Sequence, residues 1–264
     1  AGITAETKSP EGGRVERMAG SQQPSGVFVD AAEELMTRAI PAPRPNERDL
    51  ALAEAQKVLH RNGITAAADM GTTIEDWQAY RRAGDKGALT LRIMAYAAGP
   101  DQMELIAGAR PSPWLYDDKL RMNGIKIYLD GALGSRGAWL KQDYADDPGN
   151  TGLPLTGPAK LRNILVRAAQ GNFQPAIHAI GTAANEDALN AVAEIAESFP
   201  GDRRWRIEHA QIVDPADLPK FAQNGVIASM QPVHQTSDRK MAEARLGPDR
   251  LDGAYPWNSI LELG

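Results

Sequence analysis

GIKIYLDGALGSRG, residues 124–137, is the stretch on which the reading of this chain turns. Its first half is an apolar, β-branched run in which Ile125, Ile127, Tyr128 and Leu129 surround Lys126, the pattern of a buried strand. An ammonium group in that setting has to leave water, and this is costly unless something partners it. Asp130-Gly131 follows where the strand should end. One strand therefore carries a charged group along its length and another at its tip.

The same rhythm recurs on both sides. Upstream, residues 46–63 read as a helix with Asn46 as N-cap and Gly63 as the stop. Residues 64–71 read as a short buried strand, and 73–87 as a helix capped by Thr72 or Thr73. Residues 89–97 read as a strand and 101–109 as a short helix. Downstream come a long loop over 131–157, a helix over 158–172 and a strand over 174–181. A helix over 182–199, a strand over 204–213, a helix over 214–225 and a strand over 226–234 follow. Strands that alternate with helices imply a parallel sheet covered by helices. GALGSRG has spaced glycines, but a loop follows it rather than a helix, so no dinucleotide fingerprint is present. The expected fold is α/β, a TIM-type (β/α)8 barrel that is incomplete, with about six βα units present.

Residues 1–45 are different, being rich in Pro, Gly and Ser. GRVERM (13–18) and SGVFVD (25–30) read as two strands of a small β-hairpin around AGSQQP, followed by a short helix and the breaker PAPRPN. The expected organisation is an insertion segment over 1–45 and a partial barrel over 46–264 that lacks its first and last strands. Both ends are expected to be cut.

The chain has 264 residues, 42% apolar and 24% charged, with a net charge of −5. No basic field would gather phosphates, so no nucleic-acid partner is expected. No apolar run is long enough to suggest a membrane partner. There is no cysteine, which excludes disulfides, zinc–thiolate sites and a cysteine nucleophile. The compartment is left open, with cytoplasm favoured.

In a parallel α/β barrel, chemistry sits at the C-terminal ends of the strands. Those ends hold Asp69, Lys126 with Asp130, His178, Glu208-His209, and Gln231 with His234 just beyond. The fourth histidine, His60, lies in a helix and reads as structural or solvent-facing. Imidazoles on successive strand ends point to a metal site, because neutral imidazole is the commonest protein ligand for zinc. Lys126 has three readings: a stem that snorkels to the rim, a Schiff-base nucleophile, or a lysine carbamylated by carbon dioxide. The third makes an anion with two oxygens whose burial metal charge would offset. The neighbouring histidines favour it.

GIKIYLDGALGSRGAWL, DYADDPGNTGLPL, AIHAIGTAAN, RIEHAQIVDPADLPKFAQNGVIASMQPVH and SDRKMAEARLGPDRLDGAYPWNSIL together resemble the amidohydrolase superfamily. They look most like its YtcJ-like, amidohydrolase-3 branch, which includes N-substituted formamide deformylase. The resemblance implies a metal-dependent hydrolase that cleaves a C–N bond of amide or formamide type through a metal-activated water. It implies one or two divalent metal ions, zinc fitting best, and a small-molecule amide-type substrate. Lys126 would be the carbamylated bridging ligand, and His178 and His209 would be ligands of the second metal. Asp130, Arg136, Glu208, Gln231 and His234 would line the substrate pocket or support the ligands, and Asp69 would be structural.

The family's His-x-His pair has no counterpart here, nor does the aspartate that serves as catalytic base. The expectation is thus the central piece of a longer enzyme, inactive by itself, without bound metal, and open to homo-oligomer formation through exposed strand edges. Two other functions remain open at this point: a Schiff-base lyase or aldolase using Lys126, and a non-catalytic binding module derived from a barrel.

Overall fold

The structure, a computed structural model, describes residues 1–263. In chain order, β1 (Gly13–Arg17) and β2 (Pro24–Asp30) pair antiparallel, and a single 3-10 turn leads to α1 (Glu34–Thr37). Then come α2 (Pro45–Arg61), β3 (Ala66–Thr72), α3 (Ile74–Asp85), β4 (Arg92–Ala98), α4 (Pro100–Ala107) and β5 (Leu120–Tyr128). They are followed by α5 (Pro158–Gly171), β6 (Gln174–Ala179), α6 (Thr182–Ser198), β7 (Arg206–His209) and α7 (Pro219–Gln223). The last elements are β8 (Ile227–Ser229), α8 (Pro232–Leu246) and α9 (Trp257–Glu262). Strands β3 to β8 belong to one six-stranded sheet in strict sequence order. The β3–β4, β4–β5 and β7–β8 pairs are parallel. Parallel neighbours joined in order through helices are the βα progression of an α/β barrel, here with six units, beside the separate antiparallel hairpin.

Local chemistry accounts for most boundaries. Thr73 caps α3: its Oγ1 accepts from the Asp76 amide, and Asp76 accepts in return from the Thr73 amide. The start of α2 differs from the expectation. Pro45 takes the first helical position, where its missing N–H costs nothing, so Arg44 is the N-cap and Asn46 lies inside the helix. The Glu47 carboxylate accepts from the Arg44 amide at 2.7 Å. Gly63, at φ +76°, supplies the left-handed stop.

The chain forms two compact units. One comprises residues 42–127 with 163–176. Its core contains Leu91, Ile93, Tyr96, Leu120, Met122 and Ile125. The buried Gln56 amide pins α2 to the approach of β4, accepting from the Thr90 and Leu91 amides and donating to the Ala88 carbonyl. Gly124 interrupts the β-branched run of β5 for a packing reason. A Cβ there would lie 2.0 Å from the Gln174 carbonyl oxygen and 2.6 Å from the Tyr96 ring. Only glycine lets these backbones approach so closely. Gly124→Ala is expected to cost about 3 kcal/mol. That should lower the melting temperature by roughly 6–12 °C, read by thermal denaturation, whereas a change within experimental scatter would deny the close approach.

The other unit comprises residues 1–41, 128–162 and 177–264. Its hydrophobic cluster joins Leu133, Ala138, Leu140, Tyr144, Ile180, Ile212, Ala242, Leu246 and Tyr255. Four of these come from the long loop after β5, so that loop is part of a core and not a loose connection. The Tyr144 hydroxyl donates to the Ala138 carbonyl at 2.7 Å. Helix α8 was not anticipated, and residues 232–234 read instead as the end of a strand. Pro232, read as part of that strand, is the first residue of the helix. The helix buries only Ala242 and Leu246, too few apolar positions for a periodic signal. The expected strand over 204–213 ends at His209, because His209 (φ +74°) and Ala210 (φ +42°) leave extended backbone. The expected helix over 214–225 shortens to α7, preceded by a turn in which Asp214 accepts from the Ala216 amide. Among the described residues no helix is long and apolar enough to cross a membrane.

Candidate metal centre

Asp130 stands two residues past the end of β5 and is fully buried. Its carboxylate accepts three backbone N–H bonds, from Trp139 at 2.9 Å, Ile180 at 3.0 Å and Gly181 at 2.7 Å. It thereby ties the loop after β5 to the turn after β6. Burial pushes its carboxyl up to about 7, against the pull of those three donors, and the nearby Asp30 charge pushes the same way. Asp30 was not among the site candidates read from the sequence, serving there only as the last residue of the second hairpin strand at the start of a short helix. Its carboxylate lies against the Cα faces of Gly131 and Gly137, where a Cβ would come within 2.4 Å of it. The glycines of the GALGSRG motif therefore make room for a side chain of the hairpin segment.

His178, on β6, turns Nε2 toward Asp130 Oδ1 at 3.4 Å. The contact is an ion-pair approach rather than a hydrogen bond, so it brings charge close to the ring without fixing which nitrogen carries the proton. The next ring, His209 at the end of β7, lies 4.7 Å away between centroids, edge-on at 72°. Its Nδ1 is 2.8 Å from Gln231 Oε1. A carbonyl oxygen can only accept, so Nδ1 carries the proton and Nε2 presents the lone pair. His234, in the first turn of α8, stacks on His209 at 5.7 Å and 25°. Tyr128 flanks His178 at 5.4 Å on the other side. Tyr128 was also missed, although its spacing of two from Lys126 in a strand was the available signal.

The remaining candidates are distributed as follows. Glu208 is buried and ion-paired with Arg206 at 2.7 Å, while Arg206 also donates to Ser229 Oγ at 2.6 Å, linking β7 to β8. Arg136 forms a two-point pair with Asp146, at 3.1 and 2.9 Å, within the loop after β5. Asp69 accepts from the hydroxyls of Thr72 at 2.6 Å and Tyr80 at 2.8 Å. His60 is exposed and bonded to Thr90 Oγ1. Lys126 is buried in β5, 5% exposed, at the register position facing Ala98 of β4.

The donor chemistry of the two central rings fits a divalent ion of borderline softness. Both are imidazoles, they are adjacent, and in His209 the nitrogen bonded to Gln231 leaves the other as the lone-pair donor. Among the described residues, no group of three or more His, Cys, Asp or Glu side chains is arranged to hold a metal ion. Any further ligand from this chain has to be of another type.

The sequence pattern of the amidohydrolase family matches residues 1–264. The Arabidopsis thaliana protein LONG AFTER FAR-RED 3 is 35% identical over 279 residues, covering 99% of this chain and 47% of that protein. "Putative amidohydrolase YtcJ" from Bacillus subtilis (strain 168) is 30% identical over 276 residues, covering 100% of this chain and 50% of that protein. An uncharacterized metal-dependent hydrolase from Pyrococcus horikoshii OT3, known from a crystal structure, shares the fold. Its TM-score is 0.77 at 24% identity, over 94% of this chain and 50% of that one. The chain thus spans about half the length of the curated relatives it matches.

Proposed function

We propose that this chain, which belongs to the amidohydrolase family, carries part of the metal-binding and substrate-facing surface of a hydrolase that cleaves an amide- or formamide-type C–N bond. The observation that supports the reading most is the His178–His209 ring pair, 4.7 Å apart, with Gln231 setting the tautomer of His209 and the Asp130 carboxyl 3.4 Å from the His178 ring. The pair offers Nε2 of His209 as a ligand beside a second imidazole. Lys126 enters through the resemblance and its burial in β5, as a carbamylated ligand whose oxygens would add a donor type that the histidines lack. Zinc suits imidazole with carboxylate-like oxygen best. A divalent ion bound there would supply Lewis acidity, lowering the pKa of water and polarising the scissile carbonyl.

The chain's own residues have separate tasks in this reading. Asp130 orients His178 and locks the loop after β5. Gln231 fixes the proton on His209 Nδ1. Tyr128 and His234 extend the wall of rings on either side, where a planar amide could lie against them.

Zinc titration of the chain, carried to concentrations that load a weak site, tests the reading. His178→Ala and His209→Ala are each expected to abolish the bound ion. Gln231→Leu is expected to weaken it by roughly 10–100-fold. Full zinc occupancy in both histidine variants would refute the assignment.

A further inference from the structure

The turn that carries His209 is strained, and its supports begin one residue later. His209 and Ala210 are consecutive non-glycine residues at φ +74° and +42°. A Cβ makes that region unfavourable, so two such residues in a row persist only where the surroundings over-determine them. The backbone clamps start at Gln211. Its carbonyl accepts from the Tyr255 amide at 2.7 Å. The Ile212 amide donates to the Ile180 carbonyl at 2.9 Å, and the Val213 amide to the Gly253 carbonyl at 2.8 Å. The Gln211 side chain, 4% exposed, donates from Nε2 to Tyr255 Oη and to Asp238 Oδ2, both at 3.3 Å.

Asp238 lies in α8, the helix whose N-cap is Gln231 and whose first turn holds His234. One amide side chain therefore ties the strained turn to the element that delivers two neighbours of the His209 ring, Gln231 and His234. Cutting the tie frees the turn to relax toward negative φ, and the ring then leaves Gln231 Oε1.

We propose that Gln211 is a positioning residue that holds the His209–Ala210 turn in its left-handed conformation and so keeps the His209 ring on Gln231. The consequence for metal binding rests on the ligand reading above, whereas the consequence for the ring does not. Gln211→Met keeps the volume and removes both side-chain bonds. Histidine ring nitrogen NMR on the chain, with His209 assigned from a His209→Gln variant, reports the tautomer directly. The unsubstituted chain should show Nδ1 protonated and Nε2 unprotonated at His209. Gln211→Met should show a mixture of tautomers there, with His60 unchanged, and a zinc-titration midpoint about tenfold higher.

Ala210→Gly accepts a positive φ without strain, so combining it with Gln211→Met should restore the single tautomer. A merely structural role would give no such rescue. An unchanged His209 signal in folded Gln211→Met would overturn the proposal. Should that variant not fold, Tyr255→Phe and Asp238→Asn, which remove or weaken one bond each, carry the same comparison, and an unchanged signal in both would overturn it equally. If zinc shifts no histidine signal in the unsubstituted chain, the ligand reading falls, and the tautomer comparison still decides the role of Gln211.

Discussion

Asp130→Ala is expected to lower the unfolding free energy of the metal-free chain by about 3 kcal/mol or more at pH 5, since two buried N–H groups and one part-buried one lose their acceptor and each buried orphan costs about 1–3 kcal/mol. The N–H groups belong to Trp139, Ile180 and Gly181, and no solvent reaches Asp130 to replace it. The loss has a pH dependence with a definite sign. The carboxyl of the folded chain sits at about 7, above the value of about 3.9 for an unfolded aspartate. The folded state therefore binds the proton more tightly, and stability from this group is present at low pH and lost as pH rises through that window. Above it, an ionised carboxylate is held in a dry site, and removing it relieves part of the cost of the orphaned donors. The gap between the two proteins should accordingly narrow from pH 5 to pH 8. Urea denaturation of both proteins, with a chelator present, measures it. A gap that widens with pH, or one near zero at pH 5, would show that Asp130 does not organise these two turns.

On the proposed reading of Lys126 as a metal ligand, Lys126→Ala in a protein of the relatives' length that carries this chain is expected to reduce kcat/KM by about a thousandfold or more, because removing a group that would hold the metal costs several kcal/mol of transition-state stabilisation. The lysine is 5% exposed in β5, so the substitution also removes a packed stem. Circular dichroism has to establish that the variant is folded before its rate is interpreted. Two further measurements separate the carbamate from other roles for the amine. Growth in labelled bicarbonate should give a carbamate carbon signal in the unsubstituted enzyme and none in the variant. A short carboxylate such as acetate should restore part of the rate by supplying the missing oxygens. Rates near those of the unsubstituted enzyme, without any added carboxylate, would exclude the carbamate. Borohydride trapping of a carbonyl substrate on Lys126 would replace it with the Schiff-base reading.

Much of the fold was legible because local signals and tertiary structure agree over the central units. The capping pair Thr73 and Asp76, the stop at Gly63 and the alternation of short apolar runs with helical ones lie where local sequence places them. Agreement failed where a residue type carries two meanings. Pro232 reads as the tail of a strand over 226–234 but also fits the first position of a helix, and only the burial of Ala242 and Leu246 shows which meaning applies. His209 and Ala210 sit in an apolar run that favours strand, yet contacts distant in sequence hold them at positive φ. The ring neighbours His178 and His209 were legible as strand-end histidines. Their supports were not, since Gln231 acts through a nitrogen-specific bond and Asp130 through an approach across two turns, neither of which sequence spacing encodes.

By itself, then, the order of residues determined the α/β class, the six-unit progression and the family, because hydrophobic periodicity and motif spacing are local along the chain. Only the tertiary structure decided why Gly124, Gly131 and Gly137 are glycine, since the Gln174 carbonyl and the Asp30 carboxylate that occupy their Cβ positions come from far along the chain. It also decided which nitrogen of His209 carries the proton. That choice depends on a single neighbouring oxygen at hydrogen-bonding range, and such proximity exists only once the chain has folded.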